Sequence, residues 1–81
     1  MIFELIEVEG YSGFRANERP IAFNYLNRRW EVKEIIDRWY EGCIKAGGPT
    51  FAYFKVRTCD DETFLLRYNA RFKTWALKIC D

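Results

Sequence analysis

The residue types that usually carry catalysis or bind metal ions are sparse in this chain. It has no histidine, and its three cysteines, Cys43, Cys59 and Cys80, form no Cys-x-x-Cys pair. Zinc sites need paired cysteine or histidine ligands, and general acid–base catalysis most often uses histidine. The adjacent acids Asp60 and Asp61 are typical of a tight turn. We therefore predict a protein that is not an enzyme and that holds no cofactor and no metal ion.

Basic residues alternate with apolar ones in the C-terminal third of the chain, a pattern that suits anion binding. Matching the apolar faces of successive strands places Val56 opposite Leu66, and this register sets Lys55 directly opposite Arg67. Like charges that face each other across strands are unfavourable unless a carboxylate or a bound anion relieves them. Such cations beside an aromatic platform would bind single-stranded nucleic acid. The candidate residues are Tyr53, Lys55, Arg57, Arg67 and Lys78. The simpler alternative is a solvated sheet face.

Aromatic residues form 19% of the chain, which is more than a core of this size can easily hold. Some rings must therefore lie at the surface, where clustered rings usually mark a contact site. The candidates are Trp39, Tyr40 and Phe72. The function that we predict first is a non-enzymatic module that binds a protein partner, or a second copy of itself, through exposed rings or a sheet edge. Nucleic-acid binding is the alternative, although 13 basic and 12 acidic residues exclude the strongly basic profile of a dedicated binder.

The elements that must position these residues are mostly strands. A two-residue apolar period predicts strands at 3–10 and 21–26, and a tight turn at 27–28 follows the second strand. The segments 11–19 and 42–50 show no period and are rich in residues that break regular structure, so they are predicted to be loops.

The C-terminal third predicts a β-meander of three strands. Pairing Leu66 with Leu77 leaves 70–73 as a turn, and the register described above leaves 60–62 as the other turn. The inward-facing residues of the three strands are Phe54 and Val56, then Phe64, Leu66 and Tyr68, then Trp75, Leu77 and Ile79.

The segment 29–41 fits two different elements. Its aromatic and β-branched residues favour a long strand, which needs a β-bulge at Ile35 and Ile36 to change faces. A helix at 32–41 is the alternative, because four apolar residues have the spacing of an amphipathic helix. These four residues are Val32, Ile35, Ile36 and Trp39. We favour the strand.

The whole chain, residues 1–81, is therefore predicted to form one small domain that is mainly β. The expected architecture is an antiparallel meander or half-open barrel of five to six strands. The alternative is an α+β fold with the helix at 32–41 packed on the sheet. The N-terminus lacks the basic start and apolar run of a signal peptide, and no apolar run is long enough to cross a bilayer. We therefore predict a cytoplasmic protein that does not contact a membrane.

The chain contains, in order, the motifs RPIAF, RRWEVKEIIDRWYEG, YFKVRT, FLLRY and WALK, which lie within residues 10–78. This order resembles a family of small bacterial proteins known only as a domain of unknown function. Some members are similar to the C-terminal portion of an accessory protein of Y-family translesion polymerases. The resemblance implies a link to DNA repair but assigns no activity and no site residues. The chain has Gly48, Pro49 and Thr50 where the polymerase-linked members have a Trp-Trp pair.

Overall fold

A computed structural model describes residues 3–10, 19–41 and 51–79 of the chain. Each strand in the described residues pairs antiparallel with the next one, and the last strand pairs with the first, so that the sheet closes into a barrel. The predicted mainly β fold of five to six antiparallel strands is confirmed, and the barrel is closed. The strands are β1 (Glu4–Glu9), β2 (Ala22–Tyr25), β3 (Arg28–Glu41), β4 (Phe51–Thr58), β5 (Thr63–Asn69) and β6 (Thr74–Ile79).

The long strand β3 contains two irregularities in its pairing with β4. The register shifts once between Val32 and Glu34 and once between Ile35 and Asp37. Each shift inserts one extra residue, as a β-bulge does. Because of the first bulge, Val32 and Ile35 both pack against the core although they are three residues apart. This spacing explains why the sequence also fits a helix, and the helix alternative at 32–41 is wrong. The second bulge was predicted, and the first was not.

Two of the connections are tight turns close to the predicted positions. Between β2 and β3, Leu26 and Asn27 have φ angles of 54° and 59°. Positive φ at both central residues is the geometry of the two-residue turn that best fits twisted hairpins, and this turn lies one residue earlier than predicted. The β5–β6 turn at 70–73 is confirmed, as is the pairing of Leu66 with Leu77.

The turn between β4 and β5 differs from the prediction. The Thr58 amide donates a hydrogen bond to the Glu62 carbonyl at 2.9 Å, and Asp61 has a φ angle of 63°. The loop therefore consists of residues 59–61 rather than 60–62. A three-residue loop with a left-handed residue is a common hairpin connection, and it sets the register of both strands.

The register of β4 with β5 is displaced by two residues from the predicted one. Val56 pairs with Phe64 and not with Leu66. The predicted pairing of Lys55 with Arg67 is therefore wrong. A displacement of two residues leaves every side chain on the same face of the sheet, so the apolar pattern was compatible with both registers.

The interior of the barrel is filled mainly by aromatic and aliphatic side chains. The Phe64 ring packs edge-on against Phe23 and Trp30, with centroid distances of 5.4 and 5.1 Å. The Trp30 indole N–H donates a hydrogen bond to the Tyr25 carbonyl at 2.9 Å, which satisfies its one polar group. The buried core residues are Phe23, Trp30, Ala52, Phe54, Val56, Phe64, Leu66, Trp75 and Leu77.

Of the predicted loops at 11–19 and 42–50, residues 11–18 and 42–50 lie outside the described residues. Within the described part of the chain, no helix has the length and apolar character needed to cross a bilayer.

Candidate binding face

A row of side chains crosses the outer surface of the barrel from β3 to β1. The row contains, in register order, Trp39, Tyr53, Arg67, Ala76 and Leu5. The residues that flank this row on β4, β5 and β6 belong to the core. Because successive side chains of a strand point to opposite faces, the row itself points away from the interior. The observed register thus brings together three predicted site residues, Trp39, Tyr53 and Arg67.

Tyr53 is buried on this outer surface. Its ring stacks on Trp39 with a centroid distance of 5.2 Å and an angle of 8° between the planes. Its hydroxyl donates a hydrogen bond to the Glu41 carboxylate at 2.7 Å. Burial, together with the hydrogen bond to Glu41, raises the pKa of the Tyr53 phenol. The Tyr53 side chain is 9% exposed and that of Trp39 is 38% exposed, so Trp39 is the residue of this pair that presents a ring to solvent.

Arg67 lies at the centre of the row and contacts aromatic rings. Its guanidinium carbon is 4.1 Å from the ring centroid of Phe3 and 4.7 Å from that of Phe51. Ala76, the row neighbour on β6, has only a methyl group beside Arg67. The Arg67 guanidinium is thus in cation–π contact with two rings.

We define the ring face as Phe3, Trp39, Phe51, Tyr53 and Arg67. The sequence pattern had not indicated Phe3 or Phe51 as site residues. Phe3 reaches Arg67 only because β1 closes the barrel beside β6, at the other end of the chain. Phe51 is the first residue of β4. An apolar residue on the polar side of a strand's alternation is the signal that could have identified Phe51.

Lys55 and Lys78 lie beside the ring face on the same outer surface. Lys55 pairs with Asp37 on β3 and with Leu65 on β5. Lys78 pairs with Leu65 from the other side. The two lysines are therefore brought near each other with one leucine between them, a relation that the predicted register had excluded.

Three further predicted residues, in addition to the two lysines, lie outside the ring face. Arg57 forms an ion pair with Glu34, with 3.1 Å between Nη1 and Oε2. Tyr40 points to the side of β3 opposite to the ring face, and its hydroxyl accepts a hydrogen bond from Arg38 at 3.3 Å. Phe72 is 70% exposed in the β5–β6 turn. The predicted aromatic set therefore does not form one cluster.

A second polar cluster ties the first three strands together. Arg29 donates hydrogen bonds to Glu9 at 2.9 Å and to Glu31 at 2.8 Å, and Ala22 on β2 lies between the two glutamates in the register. The hydrogen bond from Arg29 lowers the pKa of the Glu9 carboxyl. Because the charges of Arg29 and the two glutamates are paired with each other, they stabilise the pairing of the strands and are not available to bind a ligand.

The described residues offer no arrangement typical of a metal site. Among them, no group of three or more histidine, cysteine, aspartate or glutamate side chains is placed to hold a metal ion. Cys59 is an exposed, free thiol.

No protein-family model, curated protein or solved structure matches the chain. The link to DNA repair therefore stays a prediction from the resemblance. Each strand of the closed barrel pairs with two neighbours, and β3 pairs with β2 over Arg28–Glu31 and with β4 over Val32–Glu41.

Proposed function

We propose that this chain is a non-enzymatic module that binds a protein partner through the ring face. The observation that carries the proposal is that aromatic rings pack together on the outside of a barrel whose interior is already filled. Trp39 stacks on Tyr53, and Phe3 and Phe51 both contact Arg67. This outer cluster does not fill the core, and it leaves Trp39 38% exposed.

The composition of the ring face is that of the residues that dominate binding energy in protein interfaces. Tryptophan, tyrosine and arginine are enriched among such hot spots. Here each of them is already held by a neighbour, so that less side-chain freedom is lost when a partner binds. Leu5 continues the row beyond Ala76 and is 75% exposed, which adds apolar area at the margin.

Single-strand nucleic-acid binding has less support from the same geometry. That function needs open rings beside available cations. The Tyr53 ring is covered by Trp39, and the charge of Arg57 is opposed by Glu34. The closely opposed pair of cations that motivated the alternative is absent from the observed register.

The experiment that tests the proposal is quantitative capture of proteins from an extract of the source cell. Three immobilised chains are compared, the wild type, Trp39→Ala and Tyr40→Ala. Tyr40 is the matched control because it is a neighbouring aromatic residue, is 55% exposed and lies on the other side of β3. Backbone amide NMR spectra of both variants establish that each retains the barrel.

We expect at least one protein to bind the wild type and Tyr40→Ala equally. Its recovery on Trp39→Ala should fall about tenfold or more, because truncation of a hot spot costs roughly 2 kcal/mol or more. Recovery of the same proteins at the same levels by all three chains would show that the ring face is not the docking surface.

A further inference from the structure

Three cations surround Leu65 on the outer surface of the barrel. Lys55 on β4 and Lys78 on β6 each pair directly with Leu65. Arg67 follows Leu65 by two residues on β5 and therefore lies on the same face. The fourth neighbour on this face is Thr63, so none of the four positions next to Leu65 carries an acid. We refer to Lys55, Arg67 and Lys78 as the cationic cluster.

The cationic cluster places positive charge on three sides of Leu65, and Asp37 on β3 lies at its margin beside Lys55. Lys55 and Lys78 are separated by two strand spacings, or about 10 Å, because each strand lies roughly 4.8 Å from the next. This separation avoids the direct repulsion expected from the predicted register. It is close to the Debye length of about 8–10 Å at moderate salt, so the fields of the three cations overlap above the leucine. Leu65 itself is half-buried and offers an apolar contact at the centre.

The Arg67 guanidinium could bind a carboxylate, and no acid among the described residues forms an ion pair with it. This guanidinium contacts the rings of Phe3 and Phe51. A guanidinium held by rings keeps in-plane N–H groups that suit the two oxygens of a carboxylate.

Four basic residues in the described part of the chain form ion pairs with acids. Such pairs lie at the β2–β3 and β4–β5 turns and on the surface of β1–β4. They are Arg28 with Asp60, Arg29 with Glu9 and Glu31, Lys33 with Asp61, and Arg57 with Glu34. The pair of Arg57 with Glu34 borders the cationic cluster, because Arg57 follows Lys55 by two residues on the same face of β4. Arg67 differs from these four residues in having aromatic rings rather than an acid as its contacts among the described residues.

We infer that the segment of the partner that docks here is an acidic peptide, with an apolar side chain on Leu65 and aspartate or glutamate carboxylates on the cationic cluster. This inference rests on the proposed function and names the chemistry of the partner at the same surface. A peptide is favoured over nucleic acid because the centre of the cluster is a leucine. An apolar side chain flanked by carboxylates complements that arrangement, whereas a phosphate backbone has no group to place on Leu65.

The test uses three fluorescent probes on the complete chain. The first is a peptide with the repeated pattern Asp-Glu-Leu-Phe-Glu-Asp, and the second replaces its acids by Asn and Gln. The third is an oligothymidylate. Binding is measured by anisotropy and by amide NMR shifts, at low salt and at about 500 mM NaCl, where the Debye length is only a few ångströms.

Two double variants with the same change in net charge locate the effect. Lys55→Gln with Lys78→Gln removes two cations beside Leu65. Arg71→Gln with Lys73→Gln is the matched control, because both residues are exposed in the β5–β6 turn. Arg67 is left unchanged so that the ring face keeps its packing.

We expect the acidic peptide to bind about tenfold more tightly than its amide counterpart at low salt, with shifts at the amides of Leu65 and its neighbours. The preference should disappear at high salt and in the Lys55/Lys78 variant, and it should persist in the Arg71/Lys73 variant. Equal binding of the two peptides would overturn the inference. Tighter binding of the oligothymidylate at the same residues would also overturn it, in favour of nucleic acid.

The outcome is separable from that of the proposed function. The capture experiment depends on Trp39 and not on the charge of the partner. If Trp39→Ala loses a partner while the acidic peptide shows no preference, protein binding stands and the acidic character of the partner is wrong.

Discussion

Replacing Arg67 with glutamine should destabilise the barrel although the residue lies outside the core. The substitution retains a polar side chain but removes the cation that lies 4.1 Å from the Phe3 ring and 4.7 Å from the Phe51 ring. A cation–π contact contributes about 0.5–1 kcal/mol at exposed sites and about 2 kcal/mol when it is desolvated. Arg67 is half-buried, so two contacts together predict a loss of about 1–2 kcal/mol in the free energy of unfolding.

Urea unfolding followed by tryptophan fluorescence measures this loss. The dependence on urea for a small domain is about 1 kcal/mol per molar, so the midpoint should fall by roughly 1 M or more. Arg71→Gln is the matched control, since Arg71 is exposed in the β5–β6 turn and its replacement should leave the midpoint nearly unchanged.

A double-mutant cycle isolates the ring contact from other effects of the substitution. Phe51→Leu is combined with Arg67→Gln, and the coupling free energy should be about 0.5–1 kcal/mol. Arg67→Lys should recover only part of the loss, because an ammonium group keeps the charge but lacks the planar face. A coupling near zero, or equal midpoints for Arg67→Gln and Arg71→Gln, would refute the assignment of Arg67 to a ring-held position.

Three further predictions concern Leu26, Gly10 and the ion pair of Glu9 with Arg29. Leu26→Asn should raise the free energy of unfolding by about 0.5–1 kcal/mol, because Leu26 has a φ of 54° and asparagine tolerates this conformation better. The thermal midpoint should rise, and an unchanged midpoint would contradict the prediction. Gly10→Ala should cost about 1–2 kcal/mol in urea unfolding from its φ of 87° alone. The cost should be larger still because the added Cβ would lie 2.5 Å from the Ile21 side chain. Combining Gly10→Ala with Ile21→Ala should remove only this steric part of the cost. Full recovery of stability in the double variant would therefore contradict the backbone strain. The folded pKa of Glu9 lies below its ordinary value of 4.5, so its interaction with Arg29 stabilises the fold above that pH and is lost as pH falls through the folded pKa. The stability difference between wild type and Glu9→Gln should therefore shrink on acidification, and a constant difference would contradict the ion pair.

Much of the fold follows from local patterns in the sequence. The two-residue apolar period located the strands, and the breaks between them located the turns to within one residue. The segment with Val32 and Ile35 was ambiguous because a bulged strand and a helix can both place residues three apart on one face. The pairing with β4 resolved this ambiguity, since it depends on residues distant in the chain.

The candidate site was less predictable than the fold. Trp39, Tyr53 and Arg67 were recognised as residues suited to binding, but their neighbours depend on register. A displacement of two residues does not change the face of any side chain, so no periodic pattern distinguishes the pairing of Lys55 with Arg67 from its pairing with Leu65. The backbone geometry of the loop at 59–61 makes that choice.

The sequence by itself therefore determined that this is a small β domain, which residues point outward, and that its rings exceed what a core can hold. Only the tertiary structure decided which outward residues meet. The cationic cluster around Leu65 exists because of one hairpin register, and the contact of Phe3 with Arg67 exists because the first strand closes the barrel beside the last. Both are long-range pairings, and they are set by loop geometry and closure of the sheet rather than by local preference for strand.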